Sequence, residues 1–275
     1  MITLFLLFFS LTCSGIEHSL SPKALKTGQV VLLQFTPPQK AEDLEIKEGD
    51  KKLLPWNCES RRCALVPIDI DSKEGERVVA FSWKGGNDSV SFNVAAGKFS
   101  VSKLKVDPDK VHPSEEEQKR INLEKKEIDE AFEHPSEVPL WKGPFTKPLK
   151  AGITSSFGNR RVFNGDLKSI HKGLDLRAAP KTPLHASNDG KVILAKEFFY
   201  AGNFVAVDHG MGIYTTYAHL SAFEVKQGQT VKKGELLGYS GATGRVTGPH
   251  AHWGVRVLGV SVDPSQFCLL SKQIP

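Results

Sequence analysis

Between residues 21 and 106 the apolar positions fall into short runs, many of them alternating with polar ones. Gln29-Val-Val-Leu-Leu-Gln-Phe, Asp43-Leu-Glu-Ile-Lys, Cys63-Ala-Leu-Val-Pro-Ile, Arg77-Val-Val-Ala-Phe-Ser-Trp and Ser89-Val-Ser-Phe-Asn-Val are rich in β-branched and aromatic residues. Such side chains suit a pleated, half-buried surface. Lys47-Glu-Gly-Asp, Ser72-Lys-Glu-Gly and Lys84-Gly-Gly-Asn-Asp supply turns between the runs. The pattern predicts a small antiparallel β-sandwich over 21–106, with an immunoglobulin-like arrangement as one form it can take. Nothing in this stretch clusters titratable groups as catalysis requires. It reads as a docking or positioning module, with a protein as the partner it could take, or as a structural spacer.

The pattern changes at Ser114. A Ser followed three residues on by Glu117, with Glu115 and Glu116 between, is a capping box with acids in the first turn, where the helix dipole favours them. A charged, solvated helix is expected to about residue 133, with Ile121, Ile128 and Phe132 as a thin contact stripe. Four prolines between His134 and Pro148 inclusive then disfavour regular structure. Residues 107–150 therefore read as a helix and a Pro-rich linker.

From residue 151 strands return, punctuated by glycines. Residues 191–195, 203–208, 212–220, 235–240 and 252–257 are strand candidates, and helical periodicity is almost absent. An antiparallel β domain is expected over 151–270, so the whole chain is mainly β. In Pro249-His-Ala-His-Trp the two histidines stand at i and i+2 of a strand. His250 and His252 should then project from one face and Ala251 from the other. Two imidazoles so placed can share a metal, or one can bind it while the other handles protons.

The chain opens on an apolar run of about a dozen residues ending at Cys13-Ser-Gly15. It is too short to span a bilayer and fits the apolar part of a secretory signal over 1–15, although no Lys or Arg precedes it. Export to the periplasm, cell envelope or exterior is expected, with a lipid anchor at Cys13 as the lesser alternative. No other segment is apolar enough to cross a membrane. Export agrees with Cys58 and Cys63, whose spacing suits a disulfide across a hairpin tip. Cys268 reads as a small buried residue. The net charge of +5 favours anionic partners, but no basic run is dense enough for a nucleic-acid arm.

His171-Lys-Gly-Leu-Asp175 places a histidine and a carboxylate four apart. On a fully extended strand they would lie about 13 Å apart, too far to share an ion whose bonds are about 2 Å. If they share one the chain must bend, and Gly173 permits it. His, Asp and a further His would give three ligands and leave a fourth zinc position for water, the open arrangement of catalytic sites. Other histidines nearby would be placed to act as base and as stabiliser of an oxyanion.

Ser156-Phe-Gly-Asn-Arg, His171-Lys-Gly-Leu-Asp175, Tyr217-Ala-His-Leu220, Val225-Lys-Gln-Gly-Gln-Thr-Val-Lys-Lys-Gly-Glu, Gly241-Ala-Thr-Gly-Arg-Val-Thr-Gly-Pro-His-Ala-His252 and Val262-Asp-Pro264 follow one another in order. Together they resemble the lysostaphin/LytM-type zinc endopeptidases, from about residue 152 to 267. The resemblance implies an antiparallel β domain with a groove over one sheet, one zinc ion, and peptidoglycan peptides as substrate. It assigns His171, Asp175 and His252 as zinc ligands. His250 and His219 match the two non-ligand histidines. The first takes a proton from the attacking water; the second stabilises the transition state or passes a proton to the leaving amine. Ala251 stands where the family usually has Leu, Lys181 where Gly usually precedes Thr-Pro, and Trp253-Gly-Val where an aromatic-Glu pair is frequent. None of these removes a ligand; they bear on groove shape. The rival is a non-catalytic member of the fold that scaffolds or activates other wall hydrolases. His185 reads as packing or surface, His209 as a turn residue, and His18, His112 and His134 belong to no constellation. Arg160, Arg161 and Asn164 lie on what reads as a loop before His171, within reach of substrate; the alternative is a solvated loop, and the arginines are expected to be mainly solvated.

Overall fold

The computed structural model describes residues 15–38, 41–165 and 167–274. The expected signal segment, with Cys13, lies outside the described residues except for Gly15 at its end. Among the described residues no helix is long and apolar enough to cross a membrane.

The first half folds as two sheets. One is antiparallel, in the order His18–Ser21, Val30–Phe35, Arg61–Pro67, Trp56–Cys58. The other runs Leu25–Lys26, Gly86–Ala95, Gly75–Trp83, Glu45–Glu48, Lys51–Lys52. It departs from the expected antiparallel pattern at one edge, where Leu25–Lys26 pairs with Gly86–Ala95 in parallel. Cys58 and Cys63 form the expected disulfide.

The strand Val30–Phe35 shows why the run over 30–33 is apolar at every position rather than alternating. Val31, Leu33 and Phe35 face the second sheet and pack with Val79, Phe81 and Val90. Phe35 meets Phe81 edge to face at 5.1 Å. Val30 and Leu32 point the other way, into a core that also contains Trp141, Phe145, Trp253 and Phe267 from the second half. A strand covered on both faces needs hydrophobic side chains at every position. The two halves of the chain therefore share one hydrophobic core.

The Pro-rich stretch is part of that core. It carries no helix or strand, as its prolines dictate, but Trp141 packs edge to face on Trp56 at 5.3 Å and Phe145 on Phe267 at 4.9 Å. Its backbone is anchored by Leu140 N–H to the His209 carbonyl, Thr146 N–H to the Ser187 carbonyl and Phe145 N–H to Ser271 Oγ. The helix before it spans Glu115–Ala131 with the expected capping box at Ser114 and Glu117. Phe132 at its end seats on Tyr214 at 4.8 Å, and Glu124 accepts from the Phe199 N–H.

The second half is an all-antiparallel ten-stranded sheet. Its central path is Ile153–Ser155, Leu174–Leu176, Ala251–Val257, Ile213–Phe223, Gly202–Asp208, Gly190–Phe198 and Thr230–Val231. One face, with Leu174, Tyr217, Ala251, Trp253 and Val255, covers the shared core. The opposite face carries the histidines. Beside it, the hairpin Arg160–Phe163 and Leu167–Ile170 gains a third strand, Val101–Leu104, which pairs in parallel with the first.

Candidate metal centre

Three neighbouring strands build the centre. Asp175 lies mid-strand in Leu174–Leu176 and sits directly opposite His252 of Ala251–Val257. His252 lies in turn opposite Ala218 of Ile213–Phe223. Residues directly opposite in antiparallel strands share a face, so Asp175 and His252 project together. Ala251, one residue back, is fully buried on the other face. The regular strand begins at Ala251 rather than at His250, which forms an isolated bridge with Gly241. His250 still shares the face of His252, since its Nε2 lies 3.5 Å from Asp175 Oδ1.

The chain bends between His171 and Asp175, as their sharing of a site requires. Residues 171–173 are outside any strand, and His171 Nε2 comes within 2.9 Å of Asp175 Oδ1. Gly173 stands at the bend for a steric reason. A Cβ there would lie 2.7 Å from the His252 ring and 2.7 Å from the Trp253 carbonyl oxygen.

His219 reaches the site by a different device. Along Ile213–Phe223, Tyr217 faces the shared core and Ala218 the opposite side. Strict alternation would send His219 back into the core. Instead the pairing with Gly202–Asp208 slips between Val205↔Tyr217 and Asn203↔Leu220, and His219 takes a left-handed φ of 63°. This bulge puts Ala218 and His219 on one face in succession and returns Leu220 to the core. The His219 ring then lies 5.0 Å from that of His250 and 5.8 Å from that of His252.

The donor atoms converge. His171 Nε2, Asp175 Oδ1 and His252 Nδ1 are 2.9, 2.9 and 3.0 Å apart pairwise. His171 Nδ1 donates to the Ser156 carbonyl at 2.8 Å, which leaves Nε2 with a bare lone pair in the neutral ring. Burial, opposed by the neighbouring Asp175, pushes His171 down to about 4, so the ring is neutral near pH 7. Burial would raise the Asp175 carboxyl, but the histidines around it, His171, His250 and His252, hold it far below the usual carboxylate range. Lone pairs of a neutral imidazole and a carboxylate thus meet at hydrogen-bond distance with no proton of His171 between them. A cation relieves that repulsion, and the spacing suits one with bonds of about 2 Å. The three residues form a group that could hold a metal ion.

The other histidines are fixed through Nδ1. His250 Nδ1 lies 2.8 Å from the Gly248 carbonyl and His219 Nδ1 2.8 Å from that of Thr243. Each ring nitrogen facing a carbonyl carries its proton, so each Nε2 is an acceptor when the ring is neutral. Burial, with His252 and His250 adding to it, pushes His219 down to about 3. Burial works against a charge on His250 too, but Asp175 outweighs it and the pKa is raised.

Arg161 is the residue the sequence reading misplaced. It lies on a strand, Arg160–Phe163, not on a loop, and it is not solvated. Its guanidinium donates to Asp175 Oδ2 and, at 2.9 Å, to Ser155 Oγ. Arg160, its neighbour, is exposed, with Asp71 at 3.9 Å. No local signal distinguishes the two, because the partner carboxylate is fourteen residues away. Asn164 serves the fold: its amide brackets Val106, accepting from the N–H at 3.0 Å and donating to the carbonyl at 3.1 Å. His209 lies in the turn between Gly202–Asp208 and Ile213–Phe223, as expected, but its ring packs inward. It is fully buried, with Nδ1 on the Asp189 carbonyl at 2.7 Å and Nε2 on Thr215 Oγ1 at 2.8 Å. Lys181 holds a φ of 63°, which explains a preference for glycine there.

The centre opens into a cleft of about 390 Å³ lined by Asp175, His219 and His250 together with Arg161, Arg177 and Arg245. Ser102, Leu104 and Val106 form part of its wall. They come from the segment that follows the N-terminal sheets, so the first half of the chain helps to shape the cleft.

Residues 169–264 match Peptidase family M23. Over 112 residues the chain is 42% identical to the protein named peptidoglycan DD-endopeptidase ShyA of Vibrio cholerae, covering 40% of this chain and 26% of that one. It is 39% identical over 122 residues to DD-carboxypeptidase/endopeptidase Mpg of Neisseria meningitidis, covering 44% and 28%. The chain thus spans about a quarter of the length of these curated relatives. A crystal structure of a peptidase M23 from Pseudomonas aeruginosa superposes with a TM-score of 0.70 at 31% identity, covering 88% of this chain and 94% of that one. That likeness therefore reaches well beyond the histidine-bearing sheet.

Proposed function

The chain belongs to peptidase family M23, and on that premise we propose that it is an exported zinc metalloendopeptidase hydrolysing peptide stems or cross-links of bacterial peptidoglycan. The observation that carries this reading is the convergence of His171 Nε2, Asp175 Oδ1 and His252 Nδ1 beside a cleft that Asp175 and two further histidines line. His171, Asp175 and His252 would hold the ion. When bound, zinc supplies a Lewis acid for the scissile carbonyl and lowers the pKa of water at its open position.

The remaining steps belong to the side chains. Arg161 takes Oδ2 of Asp175 and leaves Oδ1 for the ion. His250, its Nδ1 proton held by Gly248, accepts the proton of the attacking water at Nε2. His219, held by Thr243, offers Nε2 on the same face. Its neutral ring first takes up at Nε2 the proton that His250 has accepted from the water, and then passes that proton to the leaving amine or, while it holds it, donates to the developing oxyanion. Export is supported by the apolar leader and by the Cys58–Cys63 disulfide, which persists in oxidising compartments.

Digestion of purified peptidoglycan sacculi by the zinc-loaded protein, with mass spectrometry of the soluble products, tests this reading. Release of muropeptides cut at a peptide bond is expected. Intact sacculi after incubation with fully metal-loaded protein would overturn it.

A further inference from the structure

Among the described residues, the cleft is lined by three arginines and one carboxylate, Asp175. Asp175 is committed to Arg161 and the histidines. Arg177 is exposed. Arg245 is different. Its guanidinium carbon lies 4.7 Å from the centre of the Phe163 ring and 4.3 Å from that of Tyr200. Among the described residues no acid pairs with it. Its backbone N–H is tied to the Tyr200 carbonyl at 2.9 Å. Two residues earlier, the Thr243 carbonyl holds His219. The side chain is thus fixed to the same loop that orients a histidine of the site.

Stacking on aromatic rings holds a guanidinium by its faces. Its N–H donors lie in the plane of the group and remain available at the edge, in the fork that matches a carboxylate. Burial, with Arg161 adding to it and Tyr200 opposing it, lowers the pKa of Arg245. A half-buried cation without a counter-charge is costly, and an anion entering the cleft would remove that cost.

We infer that Arg245 is a substrate-binding residue that receives a free carboxylate of the peptide, selecting carboxylate-bearing peptides over amidated ones. The inference rests on the peptidase reading above and deepens it. The carboxylate would approach the Arg245 edge while the scissile bond lies at the histidines. Arg161 cannot take this part, because its guanidinium is already engaged by Asp175 and Ser155.

The test uses two muropeptides of one sequence, one with free carboxylates and one with them amidated. kcat/KM is measured for metal-loaded wild type, Arg245→Gln and Arg245→Lys, with metal content as a control on the site. Wild type should prefer the free form by at least about tenfold, as a charge-assisted bidentate contact allows. In Arg245→Gln that preference should collapse to about twofold or less, through a higher KM for the free form, at wild-type metal content. Arg245→Lys should keep part of it. Binding of both peptides to metal-loaded His250→Ala makes the test independent of turnover, and the free form should bind at least about tenfold tighter. Equal cleavage and equal binding of the two forms by proteins with Arg245 intact would overturn the inference and leave the peptidase reading standing. So would an Arg245→Gln variant that loses activity on both forms in proportion. If neither form is cut by wild type, the peptidase reading fails, and the binding comparison still decides the role of Arg245.

Discussion

Arg161 and Asp175 share one carboxylate oxygen, Oδ2, and that contact leaves Oδ1 to face His171 and His252. The guanidinium also reaches Ser155 Oγ, so it fixes the carboxylate against the neighbouring strand. A residue that orients a ligand in this way is expected to govern affinity for the ion without touching it. Arg161→Gln should weaken metal binding by about ten- to a hundredfold, measured by competition with a chromophoric chelator. An unchanged affinity would mean that Asp175 is held by its strand alone.

The proposed division of roles among the histidines separates two variants. His252→Ala should lose both the metal and hydrolysis. His250→Ala should keep the metal, by elemental analysis, and lose hydrolysis by at least about a hundredfold. If His250→Ala digests sacculi at the wild-type rate, another group accepts the proton.

Gly173 makes the bend between His171 and Asp175 possible by its lack of a side chain. Gly173→Ala would bring a methyl group within 2.7 Å of the His252 ring and of the Trp253 carbonyl oxygen. The backbone there cannot yield without moving Ala251–Val257. A loss of about 1–3 kcal/mol is expected from the overpacking, together with a fall in metal content. Urea denaturation and elemental analysis measure the two effects separately.

His209 gives the fold an acid sensitivity remote from hydrolysis. Burial, opposed by the Asp189 carbonyl, pushes its pKa down to about 4 from an ordinary 6.5. The folded protein therefore resists protonating a group that the unfolded chain protonates readily. Its contribution is fully present above about pH 6.5 and is lost as the pH falls from there to about 4, at a cost of about 3 kcal/mol. His209→Gln cannot titrate, so its stability should fall less than that of wild type between pH 7 and pH 4. Urea midpoints of the two proteins across that range check the difference. Parallel curves would show that the ring is charged inside the fold.

The strands, the Ser114 cap and the shared face of His250 and His252 are readable along the chain because each depends on neighbours within a few residues. Alternation in a strand and the reach of a Ser side chain to the third N–H beyond it are properties of local backbone geometry. The need for a bend between His171 and Asp175 follows from chain length in the same way. The placing of His219 does not, because alternation sends it into the core and only a slipped pairing with Gly202–Asp208 turns it out. Such a slip is stabilised by what packs on both faces of the sheet, which lies far away in sequence. Arg161 resembles Arg160 until the fold brings Asp175 beside it. His209 is legible as a turn residue, but not its burial, which Asp189 and Thr215 bring about. The prolines of 134–148 forbid helix, yet only the assembled core shows Trp141 on Trp56 and Phe145 on Phe267. Hydrogen-bonding periodicity is written into adjacent residues. Desolvation and charge pairing are set by residues that meet only once the sheets have packed, and the chemistry of the cleft depends on the latter.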